Sequence, residues 1–471
     1  MKTLFMCMLA VALLSAFAFA AESPLKPRSK VILPGIMFKP TPRPLVEIHR
    51  LSANNPAALL SYLDDQWLDR KVYATTEPLV RWKDMEDLRS HMRDYALRRL
   101  GDVASPDLIP SLEEYVRRYE AAAKPPAGLA SYGLNETYLE LADRVRYTIE
   151  RIRYRAQGRD AYVKAMVAWV QTPKPPLTPP LRDLWQFWLK TGEGARALSV
   201  LQAVEAVPLL IEKASSSSEP GPYVFALARM EDRRAMEVLR QYVVGCTGGL
   251  GSNSLPLEPE QPDPAWAYWR MRTAGMTLQE AIQELIREAN QKQYTGAYLR
   301  VGEILEYIGQ PAVPALIKVL EDPASSECAV LIALGVLTNL RAPEAASAFL
   351  GILRRGPHRD MAARGLGWLE AREAFDDLLA AARQEEDFAL RLSAIDALKR
   401  LGDARAEPLL LELLEHPHSS IRLRAAEALM RVATPAAIPR LRHWLQIEPQ
   451  VRVRTALRYA IEQASKRDEA R

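Results

Sequence analysis

The chain of 471 residues is 48% hydrophobic but only 7% aromatic, and its 62 Lys and Arg nearly balance 58 Asp and Glu for a formal net charge of +4. It can bury a long core, but one made of Leu, Ala and Val, which suits helices. Val and Ile nowhere cluster in alternating runs and the sequence has no Asn-Gly or Asp-Gly pair, so strands have little support.

In chain order, Lys2 supplies a short basic start, Leu4 to Phe19 is apolar, and Ala18-Phe19-Ala20 offers small residues where a signal peptidase cuts. Residues 1–20 are therefore expected to be a signal peptide, with the mature chain beginning at Ala21 and exported to a periplasmic or extracellular space. An uncleaved anchor is the weaker reading, because the apolar run is short for a span. No later segment is long and apolar enough to cross a bilayer. Cleavage leaves Cys246 and Cys328, too few for a disulfide scaffold; an oxidising compartment could bridge them, and a small buried residue at a helix start would explain Cys328 equally well. Residues 21–50 read as a Pro-rich extended tail, since Pro24, Pro27, Pro34, Pro40, Pro42 and Pro44 interrupt any helix.

Residues 51–171 are expected to be N-terminal helical repeats. Asn55-Pro56 is a cap followed by proline at the first helical position, opening a helix through Leu60, Leu63 and Trp67. A second helix, Arg81 to Leu100, ends in Gly101-Asp102. Its string Ala96-Leu97-Arg98-Arg99-Leu100-Gly101-Asp102 returns almost unchanged as Ala397-Leu398-Lys399-Arg400-Leu401-Gly402-Asp403. Leu134 to Gln171 is the longest helical pattern, with Leu141, Val145, Ile149 and Ile152 on one stripe and Arg144, Tyr147, Arg151, Tyr154 and Arg155 on its neighbour. Such a basic stripe can line a nucleic-acid groove. Glu140 lies four residues before Arg144, however, and Arg146 four before Glu150, which favours a locally paired, solvated face and disfavours nucleic acid as a partner.

After a proline-rich loop from Thr172 to Pro180, residues 181–244 resume the repeats, and Leu201 to Leu210 overlays Leu401 to Leu410 with the same Ala-x-Pro-Leu-Leu ending. Residues 245–264 form a Gly/Pro-rich insert loop, either a functional excursion or a disordered insert. Gly245, Gly248, Gly249 and Gly251 make a weak phosphate-loop signal, because no Lys-Ser or Lys-Thr pair follows. Trp266, Tyr268 and Trp269 then form an aromatic cluster, read as core in preference to an exposed anchor for a partner.

Residues 265–465 read as continuous repeats, opened by a capping Thr277 with Glu280 three residues on. Leu390-Arg391-Leu392-Ser393-Ala394-Ile395-Asp396-Ala397-Leu398 recurs as Ile421 to Leu429 and as Val451 to Tyr459. Leu390, Ala394, Ala397, Leu398 and Leu401 share one helical stripe, and Ala406, Leu409, Leu410, Leu413 and Leu414 make a second, with Pro408 in its first turn. Each unit is thus a helical hairpin that must lean on its neighbours. Leu305, Leu334, Leu366, Leu398, Leu429 and Tyr459 are its equivalent positions.

This pattern resembles the HEAT repeat, in particular the short HEAT-like form of phycobilin lyases, and implies an all-α fold: an α-α superhelix, or HEAT-like solenoid, behind the leader and tail. The register loosens where Leu334-Gly335-Val336-Leu337 lacks the usual glycine and where Asp376 replaces proline. The resemblance also gives Arg422 and Arg452 a place in ladders between neighbouring repeats.

Residues 420–471, which include the C-terminal tail 466–471, hold eleven Lys or Arg against five Asp or Glu; this basic end suits an acidic partner, an anionic surface or a solvated cap. The sequence has no zinc-protease, nucleophile-elbow, haem-attachment or Walker motif, and His416 and His418 flanking Pro417 read as exposed turn residues in preference to metal ligands. No catalytic, cofactor-binding or metal residue is assigned, and no cofactor is expected. The reading that results is an exported, non-catalytic scaffold for a protein or peptide partner. The alternatives are a lyase-like enzyme on the same solenoid and a nucleic-acid or anionic-surface binder.

Overall fold

The computed structural model of the protein describes residues 43–73, 85–123, 134–175, 182–245, 263–291, 300–384 and 386–469. The leader, most of the tail, Cys246 and with it any Cys246–Cys328 bridge, and residues 246–262 of the insert lie outside them.

Among the described residues all regular structure is helical. The α-helices are α1 (Arg43–Asn54), α2 (Asp65–Tyr73), α3 (Met85–Val103), α4 (Ile109–Ala122), α5 (Leu134–Ala156), α6 (Arg159–Val170), α7 (Arg182–Val200) and α8 (Val207–Ser216). They continue as α9 (Gly221–Met230), α10 (Met236–Gly245), α11 (Pro264–Arg272), α12 (Leu278–Ala289), α13 (Val301–Ile308), α14 (Val313–Glu321), α15 (Glu327–Asn339) and α16 (Ala346–Arg355). The last are α17 (Arg359–Trp368), α18 (Phe375–Arg383), α19 (Phe388–Leu401), α20 (Glu407–Glu412), α21 (Ser419–Val432), α22 (Ile438–Ile447) and α23 (Val451–Glu469). No described helix is long and apolar enough to cross a membrane.

Two expectations about boundaries are corrected. The extended tail does not reach Arg50, because α1 begins at Arg43. Pro44 sits in its first turn, where a missing N–H breaks no bond, and Leu45 and Ile48 are buried at 1% and 0% exposure. The long pattern from Leu134 to Gln171 is two helices, parted at Gly158, whose φ of 106° a side chain would rarely adopt.

The apolar side chains form two cores, one spanning residues 45–152 and the other 162–464. In the second, α13, α15, α17, α19, α21 and α23 stack in one row, each packed on the next, and α14, α16 and α18 stack in a parallel row. Leu305, Leu334, Leu366, Leu398 and Leu429 are all fully buried, as equivalent positions should be. Tyr459 is not: it is 51% exposed. The last unit is shifted by two residues, so Val453, Leu457 and Ala460 take the buried places held by Ile421, Ala425 and Ala428. The expected cap at Thr277 forms fully, its hydroxyl accepting from the Glu280 N–H while the Glu280 carboxylate accepts from the Thr277 N–H.

The turn between the two helices of a unit is often made by one residue of positive φ, although the turn after α21 passes through Ala433 at φ −58°. Gln202, Glu231, Gly309, Arg341, Glu370 and Gly402 stand at corresponding turns, and all have φ between 50° and 73°. The glycine missing near Leu337 is thus replaced by Arg341 in the left-handed region, where a side chain costs about 1 kcal/mol. Replacing Glu370→Gly is expected to stabilise the protein by about 0.5–1 kcal/mol, read as a raised urea midpoint with an unchanged slope. Gly367 works by size: a Cβ there would lie 2.6 Å from the Ala397 Cα, backbone of the next helix in the row. Gly367→Ala should therefore cost about 1–3 kcal/mol in the same titration, and a neutral result would mean that α17 and α19 are not in this contact.

Candidate functional site

The basic stripe of α5 does not face solvent. Leu141, Val145, Ile149 and Ile152 are buried in the first core as the periodicity requires, but the neighbouring stripe is covered by α6 and α7. Arg151 is only 2% exposed. Arg144 pairs with Asp94 on α3, Arg155 donates to the Ala104 carbonyl, and Tyr147 meets Trp169 edge-on at 5.4 Å between centroids. Pairing between helices thus accompanies pairing within α5, where Arg146 also donates to Asp143 at 2.7 Å.

Arg151 is the centre of that network. Its Nε donates to the Tyr162 hydroxyl at 3.0 Å, its Nη1 to Glu193 at 3.1 Å, and its Nη2 to Asp102. Asp102 also accepts both terminal nitrogens of Arg196, at 3.0 and 2.8 Å, a bidentate pair across α3 and α7. Glu193 accepts from Arg98 at 2.8 Å and from Arg196 at 3.1 Å. Arg99 lies 3.8 Å from Asp102 and donates to Ser52 Oγ at 2.9 Å, so the chain of contacts reaches α1. These groups lie where the two apolar cores meet.

Burial alone would push both carboxyls up. For Glu193 the guanidiniums of Arg196, Arg98 and Arg151 outweigh it and bring the pKa from 4.5 to about 2, and for Asp102 those of Arg196, Arg151 and Arg99 hold it well below the usual range. Both remain ionised at neutral pH, so neither can act there as a proton donor.

Gly101 makes room for this centre. A Cβ on it would lie 2.7 Å from Arg151 Nη1 and 2.8 Å from its Cζ. The same Gly-Asp pair does other work at 402–403: Gly402 is the left-handed end of α19 with φ 66°, and Asp403 caps the next turn by accepting from the Arg405 N–H. In α3 the helix runs on through Gly101 and Asp102, and the carboxylate turns inward.

Beside the network lies a small cleft of about 20 Å³, room for one water and open to solvent on one side, between α3, α5 and α7. Asp94, Arg98, Arg144, Thr148, Arg151 and Glu193 are among the residues that line it.

Other expected features fall inside the fold. Trp266, Tyr268 and Trp269 are buried at 4%, 4% and 0%, as core. Arg272 lies over two of these rings, 5.7 Å from Tyr268 and 5.2 Å from Trp269, and binds Glu284 and Glu288 of α12. Arg391 Nη1 donates to His416 Nε2 at 2.8 Å, and His418 Nδ1 accepts the Ser420 N–H at the start of α21.

These contacts belong to a ladder. Arg391 donates to the carbonyls of Arg383 and Gln384, Arg422 to those of His416 and Pro417, and Arg454 to those of Glu448 and Pro449. Each guanidinium thereby sits on the negative end of the preceding second helix. Arg422 also grips Glu448 through two bonds of 2.8 and 3.0 Å, one unit further on, in the place where Arg391 meets His416. Arg454, not Arg452, continues the ladder, which is the same two-residue shift seen at Tyr459.

Because both buried carboxyls are depressed, their contribution is complete above the ordinary carboxylate range and is lost as protons bind. Stability should fall as pH drops from about 4.5 toward 2. Arg151→Met, which leaves Asp102 and Glu193 buried with fewer partners, is expected to cost about 3–5 kcal/mol at pH 7. Gly101→Ala should cost about 1–3 kcal/mol in the native sequence and much less when Arg151 is already Met. Equal cost in both backgrounds, in a denaturant titration, would show that the glycine serves something else.

The comparisons fall into place on this geometry. The family described as HEAT repeats matches residues 358–416 and 375–462. Among solved structures, human deoxyhypusine hydroxylase in complex with glycerol is 18% identical over 76% of this chain and 98% of that one. Its TM-score of 0.18 bears on neither fold nor activity. No curated protein matches the chain. The matched segment runs from the start of α17 into α23, the part of the row in which the arginine ladder lies, and residues 358–462 belong to the HEAT repeat family.

Proposed function

We propose that the protein is an exported, non-catalytic scaffold that binds a protein or peptide along the second helices of its repeats. One observation carries this reading. In α14, α16, α18, α20 and α22 the second helical residue and the one four later are exposed: Pro314 and Lys318, Ser347 and Gly351, Asp376 and Ala380, Pro408 and Glu412, Pro439 and His443. Ten exposed positions thus recur in step across five units. Exposed positions repeated in step along a row of helices make a surface that an extended partner can follow, the form of recognition that stacked helical pairs suit. Export rests on Lys2, the apolar run and Ala18-Phe19-Ala20.

Crosslinking with mass spectrometry in the exported fraction is expected to join Lys318 to one recurring protein, and Ala380→Arg should weaken that capture about tenfold or more without moving the thermal midpoint. Repeated recovery of no partner, or capture indifferent to Ala380→Arg, would remove the proposal. Sequencing of the exported protein should begin at Ala21; a retained Met1 in that fraction would contradict the leader.

A further inference from the structure

We infer that the exposed edge of the first helices, from α13 to α21, is a second contact surface of the scaffold and binds an extended acidic peptide of a partner protein. This rests on the binding role proposed above and adds a second row and a chemistry for the partner. Two residues before the successive turns at Gly309, Arg341, Glu370, Gly402 and Ala433 stand Tyr307, Asn339, Trp368, Arg400 and Arg431. All are exposed except Trp368, which is half-buried. Side-chain contacts join them into one ridge. Asn339 donates to Glu306, the neighbour of Tyr307, at 3.2 Å, and the guanidiniums of Arg341 and Arg400 lie 5.3 and 3.4 Å from the centre of the Trp368 ring. Lys399 carries the ridge on to Glu427 of α21 at 3.2 Å. Tyrosine, tryptophan and arginine are the residue types that dominate the energetics of interfaces.

Charge chooses the occupant. Arg364, one helical turn before Trp368, and Arg400 and Arg431 are exposed on three successive units, and none of them pairs with a carboxylate among the described residues. The acids between them are already matched: Asp396 lies 3.6 Å from Arg424, and Glu427 lies 3.3 Å from Arg424 and 3.2 Å from Lys399. The ridge over α17, α19 and α21 therefore has positive charge to spare. Stacking on Trp368 holds Arg400 by its face and leaves its in-plane N–H groups for a carboxylate. The spacing of the row is fixed as well, since a Cβ on Gly367 would strike Ala397. Packed helices lie about 8–10 Å apart and an extended chain advances about 3.3 Å per residue, so a carboxylate at every third residue keeps step with the units. Glu303 and Glu306 make the α13 end of the ridge acidic, which suits a peptide with its carboxylates gathered toward α21 and disfavours a uniform phosphate chain.

The test uses the full mature chain and three fluorescein-labelled probes followed by anisotropy: a Glu-Ser-Gly-Glu-Ser-Gly-Glu peptide, its Gln-Ser-Gly-Gln-Ser-Gly-Gln counterpart and a single-stranded oligothymidylate. The Glu peptide is expected to bind at least about tenfold more tightly than the Gln peptide and to weaken with added salt. Arg431→Gln should lower its affinity about fivefold with an unchanged thermal midpoint, and Arg400→Gln should lower it by at least as much. Arg355→Gln, which removes an exposed cation from the second-helix row, should leave it unchanged. Equal binding of the two peptides, tighter binding of the oligonucleotide, indifference to both Arg400→Gln and Arg431→Gln, or an equal loss in Arg355→Gln overturns the inference. If it fails in any of these ways while Ala380→Arg still releases the crosslinked partner, the scaffold reading stands and only the ridge assignment falls.

Discussion

No helical hairpin in this chain can bury its own apolar stripe; the next hairpin does it. Five leucines one unit apart are wholly enclosed by that arrangement, and in α23, the last described helix of the row, Val453, Leu457 and Ala460 are buried the same way. Stability in such a row is a sum of neighbour contacts, not the property of one central core. Glycines 365 and 367 show how close the neighbours come, since a Cβ on either would strike Phe349 or Ala397. The arginine ladder adds direction: each guanidinium fixes the end of the helix before it, and two of them reach one unit forward as well.

The first core meets α7, at the start of the second, through charge as well as apolar contact. Arg151, Asp102, Glu193 and Arg196 come from three helices, and almost no water is left around them. A buried ion network of this kind contributes less net stability than apolar packing of equal volume would, but losing one member leaves the others uncompensated. Its consequence is geometric. It fixes the relative placement of α3, α5 and α7, and thereby the walls of the adjoining cleft.

Much of this was legible in the residues, for reasons that differ by feature. Helical stripes are local, so the burial of Leu398 and Leu429, the Thr277 cap and the core aromatics around Trp269 all follow from spacing. Register over a loop is less local: Glu448-Pro449-Gln450 lets α23 begin two residues late, and the match of Tyr459 to Leu429 slipped accordingly. Pro44 disguised the start of α1, because a proline in a first turn looks in sequence like one that breaks a helix. The charged centre left no local signal at all. Arg151 finds Asp102 and Glu193 at separations of 49 and 42 residues, and Gly101-Asp102 copies a turn motif while doing a different job. The one hint was that a stripe of Arg144, Arg151 and Arg155 lay directly beside the apolar one.

Neighbour dependence is tested most directly by native-state hydrogen exchange along residues 301–464 of the unmodified protein. Protection should be greatest in the middle of the row, in α15, α17 and α19, and fall stepwise toward α23, the last described helix. Uniform protection through the row, with the amides of α23 exchanging as slowly as those of α17 and only by global unfolding, would contradict the account.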